Sequence, residues 1–574
     1  MVCTTPIVLT EMNRITIAME KPATGFRHGF AGKASLVAVG ILAGLSVGLA
    51  QTAPPFIVVQ PQTRIAAIGY NTTFTVGISN RPPNIPYPTV QWFLNGQPIA
   101  GATNADMTTD QFNAYYNLTI TNVQSTNAGT YSAALTNSIG PAFSSNAVLT
   151  LTQPFAFVTM AGTADGIGTN DGVGTAAKFF LPKHIAVDAE DNLYITDHSN
   201  ETIRVVTPAG VVSTLAGDPG VVGTNDGVGA GAQFNGPHGI AVDGAGNVFV
   251  TDIYNDTVRE ITPGGQVTTI AGLAQNPGWQ DGVGSNARFA DPWGLAVDGA
   301  GNLFVSDTGN FVIRKITPVG TNWMVSTIAG FPGRPGATDG TNRGALFAAP
   351  DGLVVDEAGD IFVTDESPQT DDIRKITPVG TNWVVTTITG RGGLGFEDGI
   401  GTNAAFEGPT DIARDTNGNL YVTDNGNQLI REILPMGTNW SVTTIAGSYK
   451  EAGVRAGTGV VALFSSPHGI TVDKSGNLFV VEGGGEVVSK GWVADATPAA
   501  SLNSLSVTNQ QAQFNLTVIT GSPTNLAVLQ ADQVTGPWTA AAGALLTTNV
   551  AGISYGITVP FATNSYGFYR MRLQ

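Results

Sequence analysis

From Pro237 the chain reads PHGIAVDGAGNVFVTD, short apolar runs broken by Asp-Gly and Gly-Asn turns. The pattern continues as TVREITP and QVTTIAG, so one unit holds four runs, GIAVD, NVFVTD, TVREITP and QVTTIAG, joined by DGAGN and TPGG. Runs of this length, rich in β-branched residues and bounded by Gly-rich turns, predict four short antiparallel strands joined by tight hairpins. The unit recurs, and the Asp that ends its first strand falls at Asp188, Asp243, Asp298, Asp356, Asp415 and Asp473. A period of this size signals a repeat architecture, and four-stranded units repeated radially describe a β-propeller. The fourth strand ends in Ala-Gly or Thr-Gly at Gly162, Gly217, Gly272, Gly330, Gly390 and Gly447. The first ending precedes the first unit, and the last unit has none after it. The strand FAFVTMAG, residues 155–162, is therefore expected to complete the sixth blade and close the ring, removing open sheet edges.

The repeated pieces P-x-G-I-A-V-D, G-N-[LV]-[FY]-V-[TS]-D and I-R-[KE]-I-T-P resemble the NHL-repeat propellers over about residues 154–495. That resemblance implies a six-bladed fold used by binding scaffolds and by a few lyases and hydrolases. Residues 54–152 resemble an immunoglobulin-like domain through VQWFLNGQPIAG at 90–101 and YNLTITNVQSTNAGTYSAALTNSIG at 116–140. The resemblance makes Trp92 the core tryptophan and Tyr131 the corner tyrosine, with Val76 and Ala133 at the disulfide positions. The tail, 498–574, alternates apolar and polar residues in short runs and is expected to form a small β-sandwich after a linker near 495–504. It also resembles C-terminal modules of large secreted bacterial proteins. The fold class expected is all-β: a six-bladed propeller flanked by an N-terminal immunoglobulin-like sandwich and a small C-terminal one.

Composition narrows the setting. Only 12% of the 574 residues are charged, glycines number 73, and the formal net charge is −17. No basic run occurs, which argues against nucleic acid or an anionic membrane as partner. Arg14, Lys21, Arg27 and Lys33 lead into the apolar run ASLVAVGILAGLSVGLA at 34–50. Residues 1–50 read as an export signal cleaved near Ala50, with Met12 or Met19 as other possible starts. Cys3, the sole cysteine, falls in the segment removed, so the mature chain is expected to lack thiols and disulfides. No second apolar run reaches spanning length, so a soluble secreted, cell-surface or periplasmic protein is expected.

The repeated acids read as structural. Asp243 and its equivalents end a strand where a carboxylate can accept turn N–H bonds. Asp252 has equivalents at Asp197, Asp307, Asp365 and Asp424, and Arg259 at Arg204, Arg314, Arg374 and Arg431. An Asp–Arg pair in each of five blades is expected to be a brace, because a catalytic group need appear only once. Glu482 and Ser489 occupy these places in the sixth unit. The string TNDGVGTAAKF at 169–179 recurs between units and lacks the alternating acids of a calcium loop, so a structured connection is expected.

Variation within the frame marks the binding candidates. The residue after each blade proline is Lys183, His238, Trp293, Asp351, Thr410 and His468, expected to ring the axial mouth. His184, His238 and His468 lie in adjacent blades and are the metal candidates, since clustered imidazoles bind zinc and activate water. The lyases that resemble NHL propellers use axial histidines in this way. His184, offset by one position, is expected to point to the opposite side of its strand, leaving separate histidines. Arg414 replaces the valine of the other blades and is expected to pair with Asp411 or Asp415. No nucleophile elbow, phosphate loop or dinucleotide fingerprint is present. The expectation is a secreted non-catalytic binding protein, without a cofactor, whose ligand is a protein, polysaccharide or envelope component. The alternative is a lyase or hydrolase with an axial histidine-bound metal.

Overall fold

The computed structural model describes residues 53–79, 86–103, 106–109, 113–367, 371–390 and 392–494, together with the backbone of seven strands between 500 and 573. The export segment expected at 1–50, with Cys3, lies outside the described residues, as does linker 495–499. No helix among the described residues is long and apolar enough to cross a membrane.

The first sandwich pairs Ile57–Val59, Thr72–Ser79, Asn113–Ile120 and Asp106–Thr109 in one sheet, against a second sheet built on Thr89–Leu94, Gly129–Thr136 and Ala147–Thr152. Alternation along these strands sends Phe74, Trp92 and Tyr131 inward, where Phe74 stacks on Tyr131 at 4.5 Å. The Tyr131 hydroxyl donates to the Asn127 carbonyl at 2.6 Å, as a corner tyrosine does. Val76 and Ala133 are fully buried, so apolar packing takes the place of the cross-sheet disulfide.

Six five-stranded antiparallel sheets follow. In the second blade Pro237–Val242 lies innermost, followed outward by Val248–Asp252, Thr257–Ile261 and Gln266–Ala271. The expected four strands are joined by a fifth: Gly227–Val228, from the recurring DGVG string, pairs outside Gln266–Ala271. Two residues carry no periodicity, which hid this strand among the turns. Buried Val, Ile, Phe and Ala fill the spaces between neighbouring blades; Phe234, Ile240, Val250 and Ile261 of blade two pack on Ala186, Ile203 and Ala216 of blade one.

The ring closes as its spare strand implies. Phe155–Gly162 lies between Val487–Val493 and Gly457–Thr458, completing the blade of Pro467–Val472 and Leu478–Glu482. The terminal glycine of the Ala-Gly ending explains the fit. Gly217 has φ +98°, and a Cβ there would lie 2.3 Å from the Glu201 carbonyl oxygen. Gly162 has φ +87°, and its Cβ would lie 2.3 Å from the Glu486 carbonyl oxygen, the same geometry reached from the other end of the chain. The tail forms two further sheets, of Ala500–Thr508, Gln511–Val518, Ser554–Pro560 and Leu545–Val550, and of Thr539–Ala540, Leu526–Ala531 and Phe568–Leu573.

The first sandwich is tied to the fifth blade. Arg64 Nη1 donates to the Asp398 carbonyl at 3.1 Å, and the buried Tyr70 hydroxyl donates to the Gly447 carbonyl at 3.1 Å.

Candidate functional site

The repeated acids are consumed by the frame. Asp243 Oδ1 accepts the turn N–H groups of Ala245 and Asn247 at 2.9 and 2.8 Å. Asp252 Oδ2 accepts Arg259 Nη1 at 2.8 Å, and the pair recurs as Asp197–Arg204, Asp307–Arg314, Asp365–Arg374 and Asp424–Arg431 at 2.5–3.0 Å. The arginine is shared with a second acid that the sequence reading assigned no role. Arg259 Nη2 donates to Asp226 of the DGVG string at 2.8 Å, and its guanidinium lies over Phe234, the last residue of that string, at 5.1 Å. The cation that this loop holds is therefore its own arginine, as Asp171, Asp281, Asp339 and Asp398 repeat. In blade six, Ser489 Oγ donates to Glu482 Oε1 at 2.5 Å, so an uncharged donor replaces the arginine.

The variable ring lies on the propeller axis, and it is mostly buried instead of forming an open rim. Asp351 is 0% exposed, His238 3%, Thr410 6% and His468 8%, while Lys183 and Trp293 are partly exposed. Four blades position it through the threonine that precedes the brace aspartate. Thr196 Oγ1 donates to the His238 carbonyl at 2.6 Å, Thr251 to that of Trp293 at 2.6 Å, and Thr423 to that of His468 at 2.6 Å. With Thr364, which donates to the Thr410 carbonyl at 3.2 Å, four inner strands are thus pinned to a neighbour at the ring residue itself, whereas Ser306 at this place in blade three has no partner.

His184 does not point away. Pairing between the first two strands shifts register between Pro182 and Ile185, as at this place in the other blades, so even alternation does not hold there, and His184 faces the other two histidines. Its ring centroid lies 4.7 Å from that of His238 and 5.3 Å from that of His468, and the latter two are 5.3 Å apart. One nitrogen from each can be chosen so that all lie within 4.8 Å of one another. Two acids face the cluster, with His184 Nε2 3.6 Å from Asp351 and Nδ1 3.6 Å from Asp411. The position of His184 and Asp411 is glycine in the other four blades, where inner strands nearly touch; a Cβ on Gly239 would lie 2.2 Å from the Trp293 carbonyl oxygen. Arg414 pairs with neither Asp411 nor Asp415. It reaches Glu357 of the adjacent blade at 2.9 Å, across a well-exposed carboxylate.

Burial sets the charge state. It holds His238 and His468 well below the ordinary imidazole range, and the nearby His184 and Lys183 push both the same way. His184 is lowered by burial, partly opposed by Asp411. Three neutral imidazoles result, the form that ligates metals. Burial also raises Asp351 far above the usual carboxylate range and Asp411 to about 6. His184 Nε2, His238 Nδ1, His468 Nδ1 and both Asp351 oxygens are buried without a hydrogen-bond partner. So many orphaned polar atoms at one point are costly unless something bonds them. The donor set fits a zinc-type divalent ion, which takes three histidines and leaves a fourth position open. An axial cavity of about 200 Å³, walled by apolar residues of the six inner strands, is lined also by His184, Asp411 and Arg414.

Residues 55–150 match the immunoglobulin I-set domain, and residues 289–316 and 406–433 match the NHL repeat. NHL repeat-containing protein 2 of Homo sapiens is 27% identical over 335 residues, which covers 52% of this chain and 45% of that one. The Arabidopsis thaliana chloroplastic protein SUPPRESSOR OF QUENCHING 1 is 32% identical over 157 residues, 26% of this chain and 15% of its own. The chain thus spans less than half the length of these two curated relatives. A solved protein of unknown function from Bacteroides thetaiotaomicron is 18% identical, with a TM-score of 0.46, covering 77% of this chain and 98% of that one.

Proposed function

We propose, on the premise that this is an NHL-repeat β-propeller protein with an N-terminal I-set immunoglobulin domain, that it is a secreted, non-catalytic interaction scaffold with a divalent transition-metal ion on its propeller axis. The I-set and NHL matches support an interaction role. Secretion rests on the apolar segment at 34–50. One observation carries the axial assignment: His184, His238 and His468 converge from three adjacent blades with ligand nitrogens that nothing else bonds. His184, His238 and His468 would hold the ion. Lys183 and Trp293, the partly exposed members of the ring, would meet the partner, a protein, glycan or envelope component. Elemental analysis of the purified protein is expected to find one zinc-type ion per chain. His238→Ala and His468→Ala should each lose it, and a chelator should lower the melting temperature of the unmutated protein only. Intact protein that stays metal-free after incubation with zinc would end this assignment.

The second reading is a lyase or hydrolase at the same point. It is favoured by Asp351, whose two oxygens are buried and unbonded beside the histidines. When bound, the ion would supply an activated water, and Asp351 is placed to hold or move a proton. Metal-dependent turnover that Asp351→Asn abolishes while metal content stays intact would favour this reading over the scaffold.

A further inference from the structure

A second ligand-sized cavity lies away from the axis. It is a cleft of about 590 Å³ where the first sandwich meets the outer edge of the fifth blade. That volume falls in the range of small-molecule sites, which favour domain boundaries. Its two walls are fixed relative to each other by the Arg64 and Tyr70 hydrogen bonds already described.

The lining has a definite chemistry. The sandwich wall presents uncharged hydrogen-bonding side chains, among them Gln60, Gln62, Asn71 and Thr72. The propeller wall adds Asn403 and Ser448. On that wall stand two aromatic rings, Phe396 at 43% exposure and Tyr449 at 47%, stacked with centroids 3.9 Å apart. Large rings held this exposed gain little from burial by the protein itself, so their setting suits an apolar face supplied from outside.

Charge narrows the ligand further. Arg64 donates to the Asp398 carbonyl. Lys450, beside Tyr449, is held by Glu407 at 2.5 Å and by the Gly426 carbonyl at 2.7 Å. The Asp398 carboxylate accepts from Arg431 and Thr444. The cations nearest the rings are thus already engaged, and beside the Glu397 and Asp398 carboxylates the walls offer amides and hydroxyls that both donate and accept. A ligand with a flat C–H face and a rim of uncharged hydroxyls matches both features.

We propose that this cleft binds a segment of neutral oligosaccharide, with a sugar ring packed on the Phe396–Tyr449 platform and its hydroxyls bonded to the Gln, Asn, Thr and Ser side chains. The proposal deepens the scaffold reading by naming a ligand class, and it is independent of the axial metal.

Calorimetric titration with neutral oligosaccharides (hexamers of cellulose, xylan, mannan and starch) tests it, with polygalacturonate as the anionic comparison. At least one neutral oligomer should bind saturably, and Phe396→Ala or Tyr449→Ala should each weaken it about tenfold. Tyr449→Phe keeps the ring and should retain binding. Both rings are surface residues, so circular dichroism and melting should show the variants folded. Chelator treatment should leave affinity unchanged, so a failed axial metal and a failed cleft remain distinguishable. Absence of binding to every neutral oligomer, binding to polygalacturonate alone, or affinity that survives both alanine variants would overturn the proposal.

Discussion

At the scale of single residues, the five braces show why a repeated acid is structural here. Arg259 is 1% exposed, and its two Nη atoms are bonded by Asp252, Asp226 and two backbone carbonyls. Asp252→Ala would strand a buried guanidinium, and urea denaturation should show a loss of about 3–5 kcal/mol. Asp226 is 44% exposed, so Asp226→Ala should cost only about 1 kcal/mol. Equal losses would contradict the asymmetry. Burial pushes Asp252 up to about 6 against the pull of Arg259, which leaves it ionised at neutral pH. Glu482, with a serine in place of the arginine, is pushed up to about 7 by burial, against a usual 4.5. A carboxyl raised on folding binds its proton more tightly in the folded state. Its stabilising contribution is present below pH 4.5 and lost as pH rises through 7, a difference of about 3 kcal/mol. Glu482→Gln should flatten stability against pH across that window. An unchanged profile would mean that the carboxyl is ionised when buried.

At the scale of elements, close approach of the inner strands dictates which residues reach the axis. Gly239→Ala should force blades two and three apart and lower stability by about 1–3 kcal/mol. Gly244→Ala, in the next turn with open space around its Cβ, should be neutral within about 0.5 kcal/mol. Thermal melts of both variants check this, and a destabilised Gly244→Ala would point to the turn instead of the strand contact. The four longer strands per unit could be read from period and turn residues, because each holds five or more mostly apolar, mostly buried positions bounded by turns. The fifth strand could not, since two residues define no alternation. That His184 faces the other two histidines was hidden for a related reason. Strand alternation assumes even pairing, and the irregular register between Pro182 and Ile185 breaks it.

At the scale of the whole molecule, stability depends on one splice. Phe157 is 2% exposed and meets Phe464 edge-on at 5.0 Å within the closing blade. Phe157→Ala should cost about 3–5 kcal/mol. Hydrogen exchange should then speed up in blade six and in blade one, whose core includes Phe479, Val481 and Val488 of blade six. Loosening confined to Phe155–Gly162 would show that closure is local and not cooperative. The same ring geometry makes neighbours of His184 and His468, which are 284 positions apart in the chain, through contact between the first and last blades.

The sequence by itself determined the six-fold repeat, the strand at the wrong end of the chain, the Asp–Arg braces and the immunoglobulin core around Trp92. Each of these is written in a local period or in a motif repeated in register. Only the tertiary structure decided the histidine cluster, the second aspartate on every arginine, the Glu357 partner of Arg414 and the cleft beside the fifth blade. These depend on distances between blades, on the register shift at the start of every inner strand and on how two domains meet. Such quantities arise only when the ring closes, because no stretch of residues encodes its distance to the opposite side.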